Sequence, residues 1–142
     1  MRNSPICVDA SLIIRLMQSG TYESPTAILW KEWHEADRSI VAPSLLYYEV
    51  TNAIYKYVIH SEMLLEEAAD ILNAIVRLDI TSYENANLYR RALELARRFS
   101  LSATYDAHYL ALAEMLGAEF WTADRRLVKA VSAALPWVRE VG

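Results

Sequence analysis

Four acids, Asp9, Glu49, Asp106 and Asp124, are the residues whose types and positions could do chemistry. Asp9 ends the apolar run Pro5-Ile6-Cys7-Val8, which reads as a buried strand. A carboxylate there is costly to desolvate unless it is paired or bound to a cation. Asp124 follows Phe120-Trp121-Thr122 in the same way. Glu49 lies in the first turns of a helical pattern, on the border of the stripe Leu46, Val50, Ala53, Ile54 and Tyr57. Asn52 and Lys56 continue that border. Asp106 falls near the centre of the stripe Tyr109, Leu110, Ala113 and Leu116, so it faces inward at the start of its helix. Taken singly, Asp106 and Asp124 read as helix caps and Glu49 as a surface glutamate. In a parallel sheet, however, all strand-to-helix corners share one edge, and there the four would meet. Clustered carboxylates repel, and a hard divalent cation removes the conflict. An all-oxygen donor set suits Mg²⁺ or Mn²⁺ rather than zinc. Such a site suits phosphodiester cleavage, in which the metal polarises a phosphoryl oxygen and activates water.

The elements that must position these acids read as alternating strands and helices. Strand Pro5–Val8 leads into a helix from about Ala10 to Gln18, stopped by Ser19-Gly20. Ser24 and Pro25 open a second helix to about Asp37. Strand Ser39–Ala42 precedes a long helix, Leu45 to about His60, and Ser61 is expected to cap a helix from Glu62 to Arg77. Leu78–Thr81 is a brief strand, and Ser82 is expected to open a helix through Phe99. Helix Tyr105–Leu116 stops at Gly117. Strand Glu119–Thr122, helix Asp124–Ala134 and strand Trp137–Val141 complete the chain. Repeated strand–helix units predict an α/β/α fold with a mostly parallel sheet of about five strands.

At 142 residues the chain reads as one domain, 1–142. No run of apolar residues is long enough to span a membrane. The first strand begins near Pro5 and leaves no room for a signal peptide, so a cytoplasmic protein is expected. The single cysteine, Cys7, excludes an internal disulfide and a cysteine-based zinc cluster, and reads as a small buried residue. The histidines, His34, His60 and His108, are too scattered for a metal site. A net charge of −4 excludes a generally basic nucleic-acid coat. The charge is uneven: residues 1–76 carry 5 Lys/Arg against 10 Asp/Glu, and residues 77–142 carry 9 against 8. Arg125, Arg126 and Lys129 could meet the phosphates of a polyanion, or form a solvated helix face. Arg90, Arg91, Arg97 and Arg98 surround Glu94, where intrahelical ion pairs explain them. Tyr57 reads as core, and the neighbouring Tyr47, Tyr48 and Tyr55 as packing within the monomer, with a protein-binding surface as the alternative for some of them.

The segments Val8-Asp9-Ala10-Ser11, Glu49-Val50-Thr51-Asn52-Ala53, Tyr105-Asp106-Ala107 followed by Tyr109-Leu110-Ala111-Leu112-Ala113, and Thr122-Ala123-Asp124 occur in that order. Together they resemble the PIN-domain ribonucleases, and among them the VapC-type toxins of toxin–antitoxin pairs. The resemblance covers almost the whole chain. It implies a Mg²⁺- or Mn²⁺-dependent endoribonuclease, often a homodimer, silenced by a cognate antitoxin. Asp9 and Asp106 would be the main metal ligands, with Glu49 and Asp124 binding directly or through water. Ser11 and Thr122 match small hydroxyl positions that support these carboxylates, and Asn52 matches a polar position one turn after the glutamate. The alternative is a non-catalytic PIN-like module that binds protein or RNA, its acids only caps. A phosphoaspartyl enzyme built on Asp9 is disfavoured, because Ser11 stands where a second aspartate is needed.

Overall fold

Ile6-Cys7-Val8 is too short and too uniformly apolar for one face of anything exposed, and it is buried on both sides as the central strand of a sheet. The computed structural model describes residues 4–18 and 24–142. The expected stop at Ser19-Gly20 lies outside them. The strands are β1 (Ile6–Val8), β2 (Ile40–Pro43), β3 (Ile80–Tyr83), β4 (Glu119–Thr122) and β5 (Val138–Glu140). The helices are α1 (Ala10–Gln18), α2 (Pro25–Glu35), α3 (Leu45–Ile59), α4 (Leu65–Val76), α5 (Ala86–Arg98), α6 (Tyr105–Leu116) and α7 (Arg125–Val131).

All five strands are parallel, in the order β3-β2-β1-β4-β5. The chain steps outward from β1 to β2 and β3, then returns to the other side of β1 with β4. Right-handed crossovers therefore put α1 to α4 on one face and α5 to α7 on the other. The direction reverses between β1 and β4, where β1 pairs Val8 with Trp121. That reversal opens a crevice at the carboxyl ends of these strands, the place where ligands settle in such sheets. The buried core runs from Ile6 to Val141 across both faces. No helix among the described residues is long and apolar enough to cross a membrane.

Several boundaries differ from expectation for identifiable reasons. Helix α3 ends with Ser61 in the left-handed region at φ 58°, and the Glu62 amide donates back to the Tyr57 carbonyl at 2.9 Å. Ser61 thus terminates a helix instead of capping the next one, and α4 starts only at Leu65. Ser82 lies inside β3, and Asn85 caps α5 by accepting from the Asn87 amide. Helix α7 stops at Val131, short of Ala134, and β5 is shorter than expected at both ends. The expected stripe of α6 is wider than one face. Ala107, Ala111 and Leu112 are buried too, because α5 covers the side turned away from the sheet. Cys7 is fully buried as expected. Tyr57 is only half-buried, its hydroxyl accepting from Gln18 Nε2, while Tyr48 and Tyr55 are exposed instead of packed within the monomer.

Candidate active site at the carboxyl edge of the sheet

Asp9 leaves β1 and caps α1: its Oδ1 accepts from the Leu12 amide at 3.0 Å. The same oxygen accepts from Ser11 Oγ at 2.7 Å, and Oδ2 accepts from Thr122 Oγ1 on β4. Ser11 Oγ in turn accepts from the Ala123 amide, and Thr122 Oγ1 from the Asp124 amide, both at 3.0 Å. Each hydroxyl has one proton, and both protons are committed to Asp9. The two residues therefore clamp one carboxylate across the β1–β4 reversal. Burial pushes the Asp9 carboxyl up to about 6, against the pull of these three hydrogen bonds, and the charge of Asp106 adds to the rise.

Asp124 is the N-cap of α7, its Oδ1 accepting from the Arg126 and Leu127 amides. Capping is thus real for Asp9 and Asp124, and it fixes where their side chains stand. Asp106 differs: it sits in the first turn of α6 without capping it, and it is half-buried. Burial pushes its carboxyl up to about 6, helped by the charges of Asp124 and Glu49. Glu49 reaches the site from α3 on the opposite face of the sheet. It is half-buried, and Tyr109 donates its hydroxyl to Glu49 Oε1 at 2.6 Å. Burial and the adjacent Glu49 charge keep the Tyr109 phenol far above its ordinary value, so it stays a donor.

Glu49, Asp106, Asp124 and Arg126 line one pocket of about 500 Å³, and Asp9, 5% exposed and outside that lining, is near enough to Asp106 to feel its charge. Asn52 joins Glu49 and Lys56 in a neighbouring groove. The basic residues of α7 part company. Arg126 lines the acid pocket, Arg125 bends away to Glu140 at 3.3 Å, and Lys129 is exposed outside the pocket lining. Among the described residues, no three His, Cys, Asp or Glu side chains are gathered tightly enough to hold a metal ion as placed. His108 instead turns its Nδ1 to the Thr104 carbonyl, at 2.7 Å. Tyr109 is the site residue that sequence reasoning missed. The available signal was a tyrosine inside an apolar run, since a buried phenol needs a hydrogen-bond partner.

The fold is a three-layer α/β/α sheet, with Glu49, Asp106 and Asp124 lining the pocket at its central crevice. The chain belongs to the PIN-domain family, whose model matches residues 6–132. No curated protein matches it significantly in sequence. Among solved structures it is similar to the Pyrobaculum aerophilum protein PAE2754, with a TM-score of 0.70 and 23% identity over 98% of this chain and 85% of that one. A toxin–antitoxin complex from Klebsiella pneumoniae aligns at 0.66 and 17%, covering 94% of each chain. The sarcin–ricin loop cleaving toxin VapC20 of Mycobacterium tuberculosis aligns at 0.65 and 16%, covering 91% of this chain and 95% of that one. At these identities the likenesses establish a shared fold.

Proposed function

We propose that the chain is a Mg²⁺- or Mn²⁺-dependent endoribonuclease and the toxin of a toxin–antitoxin pair. One observation carries this reading. Glu49, Asp106 and Asp124 line one pocket at the crevice where the sheet reverses, Asp9 feels the charge of Asp106, and the hydrogen bonds to buried Asp9 all come from uncharged donors. Family membership and the toxins among the structural relatives support it.

The donor set fits a hard divalent cation, since every contributing atom is an oxygen. Asp9 and Asp106 would hold the ion, with Glu49 and Asp124 binding it directly or through water. Such an ion, when bound, polarises the phosphoryl oxygen and supplies activated water. The chain's own residues do the rest. Ser11 and Thr122 hold both Asp9 oxygens, and Tyr109 holds Glu49. Asn52 stands beside Glu49 in the adjoining groove. Arg126 offers the phosphate contact nearest the acids, with Arg125 and Lys129 further along α7. A cognate antitoxin would be the protein partner, a second copy of the chain would complete a homodimer, and the cytoplasm would be the compartment.

The test is to incubate purified, partner-free protein with structured RNA in Mg²⁺, in Mn²⁺ and in chelator, beside Asp9→Asn. Cleavage that needs both metal and Asp9 is the expected result. No cleavage together with no metal-dependent rise in melting temperature would sink the reading and favour a non-catalytic binding module.

A further inference from the structure

The pocket beside the acids is larger than a metal site needs, and its far wall is of another kind. The turn after α5 and the start of α6 contribute Phe99, Leu101 and Tyr105, with the hydroxyls of Ser100 and Ser102 between them. Tyr105 is 58% exposed although it directly precedes Asp106 in the chain. The fold gains little from a ring so placed. Phe99 differs: the Arg98 guanidinium lies over its ring at 4.8 Å, so one face is already covered. The turn itself is firmly built. Ser100 takes a left-handed φ of 53°, and the Leu101 amide closes on the Ala96 carbonyl at 2.9 Å, which sets the path of the chain along the pocket rim. Arg126 lines the same pocket, and among the described residues no carboxylate forms an ion pair with it.

We propose that this groove is a nucleobase subsite that takes one base of single-stranded RNA, stacked on Tyr105, while Arg126 contacts the neighbouring phosphate. The proposal rests on the nuclease reading above and assigns two residues that would grip its substrate. Three observations point the same way. A pocket of about 500 Å³ has room for a single nucleotide. An exposed aromatic ring beside a polar cleft is the feature on which splayed bases stack. The cluster of acids alone would repel a polyanion, so a cation in the same pocket is needed to draw a phosphate toward them. Ser100 and Ser102 provide donors and acceptors for a base edge.

The test uses the Asp9→Asn chain, which under the nuclease reading binds without cutting. Its affinity is measured for a short single-stranded RNA of mixed sequence and for the same strand annealed to its complement, with Mg²⁺ and with chelator. Adding Tyr105→Ala should weaken binding of the single strand by about tenfold or more, while Tyr105→Phe stays within about twofold. Arg126→Ala should lower affinity for all single strands and flatten the salt dependence by about one phosphate contact. An exposed ring can be truncated without unfolding, so an unchanged melting temperature is the control. Equal binding by Tyr105→Ala and its parent, or an equal loss on duplex, overturns the subsite. The failures are separable. Wild-type cleavage with KM unchanged by Tyr105→Ala sinks the subsite and leaves the nuclease standing. Tyr105-dependent binding of a strand that wild type never cuts, with no metal-dependent rise in melting temperature, leaves the subsite standing and sinks the nuclease.

Discussion

The two ends of the β1–β4 pair treat a carboxylate in opposite ways. At the amino end, Glu119 opposes Ile6 in the register. It accepts from Arg38 at 2.9 Å and from Trp121 Nε1 at 3.0 Å, and Arg139 stands at 3.5 Å. Arg38 also donates to the carbonyl and hydroxyl of Ser4, tying the chain before β1 to the start of β4. Burial pushes the Glu119 carboxyl up, but the hydrogen bonds from Arg38 and Trp121 and the two guanidinium charges hold it below its ordinary value. At the carboxyl end, Asp9 receives hydroxyls and an amide, and burial wins. The same two strands therefore hold one carboxylate whose charge is matched and one whose charge is left over. The matched pair is architecture. An unmatched, strongly perturbed carboxylate in a crevice marks a place meant for something else.

The largest test of that contrast is Asp9→Asn. Under the proposed function, cleavage should fall by about three orders of magnitude, the scale of several kcal/mol of lost charge stabilisation. Metal-free stability should move the other way. A carboxyl raised to about 6 binds more protons folded than unfolded between roughly pH 4 and 6, so its ionisation lowers stability as pH rises through that window. Asparagine removes this burden, on the order of 2–3 kcal/mol at pH 8 and close to nothing at pH 4. The hydroxyls can adapt, because Thr122 can turn its proton to Ser11 Oγ, 3.2 Å away, and accept from the new amide. Denaturant melts at the two pH values check this. A variant less stable than wild type at pH 8 would mean that Asp9 is already compensated, and the contrast would collapse.

Arg38→Met should act at the other end with the opposite pH sign. It keeps much of the apolar stem and leaves Glu119 short of its main partner. Arg38 is largely buried and Glu119 about a quarter exposed, so a loss of about 2 kcal/mol at pH 7 is expected, below the range for fully buried pairs. Glu119 is a depressed carboxyl. Its contribution is present above its ordinary range and disappears as pH falls through the lowered value. The loss should accordingly shrink in acid, measured as the difference in unfolding free energy at pH 7 and pH 3. RNA cleavage should persist, because neither residue lines the acid pocket.

The carboxyl edge was far more legible in the sequence than the amino edge. Asp9, Asp106 and Asp124 each follow a recognisable strand or open a recognisable helix, and a parallel sheet brings such corners together whatever the details. Asp9 pairs with Thr122 across 113 positions, yet topology alone predicts the meeting. Nothing comparable announces Arg38 and Glu119, which are 81 positions apart on loops and strand starts with no periodicity. Tyr109 was visible only as core, since its hydroxyl partner lies 60 positions away on the other face of the sheet. The basic run on α7 could not be divided either. Its phase is set by the Asp124 cap, which turns Arg126 to the pocket and leaves Arg125 for Glu140. Helix ends were misplaced where a serine fills the left-handed position usually given to glycine. Ser61 costs α3 roughly 1 kcal/mol to do so, and its side chain reads as a helix start.

The smallest effect sharpens the comparison most. Consecutive residues of β4 serve the two carboxylates: Trp121 donates to Glu119, and Thr122 donates to Asp9. Thr122 is fully buried, and Thr122→Val preserves its shape while removing one donor to Asp9 and one acceptor for the Asp124 amide. With a hydrogen bond that favours the ionised form gone, the Asp9 carboxyl should rise further. Stability without metal should fall by about 1–2 kcal/mol at pH 8, where Asp9 is charged. At pH 4 the carboxyl is protonated and needs fewer donors, so the loss should be smaller. A loss equal at both pH values would assign the Thr122 hydroxyl to the Asp124 amide alone, and Asp9 would then rest on Ser11 and the α1 amide for what support it has.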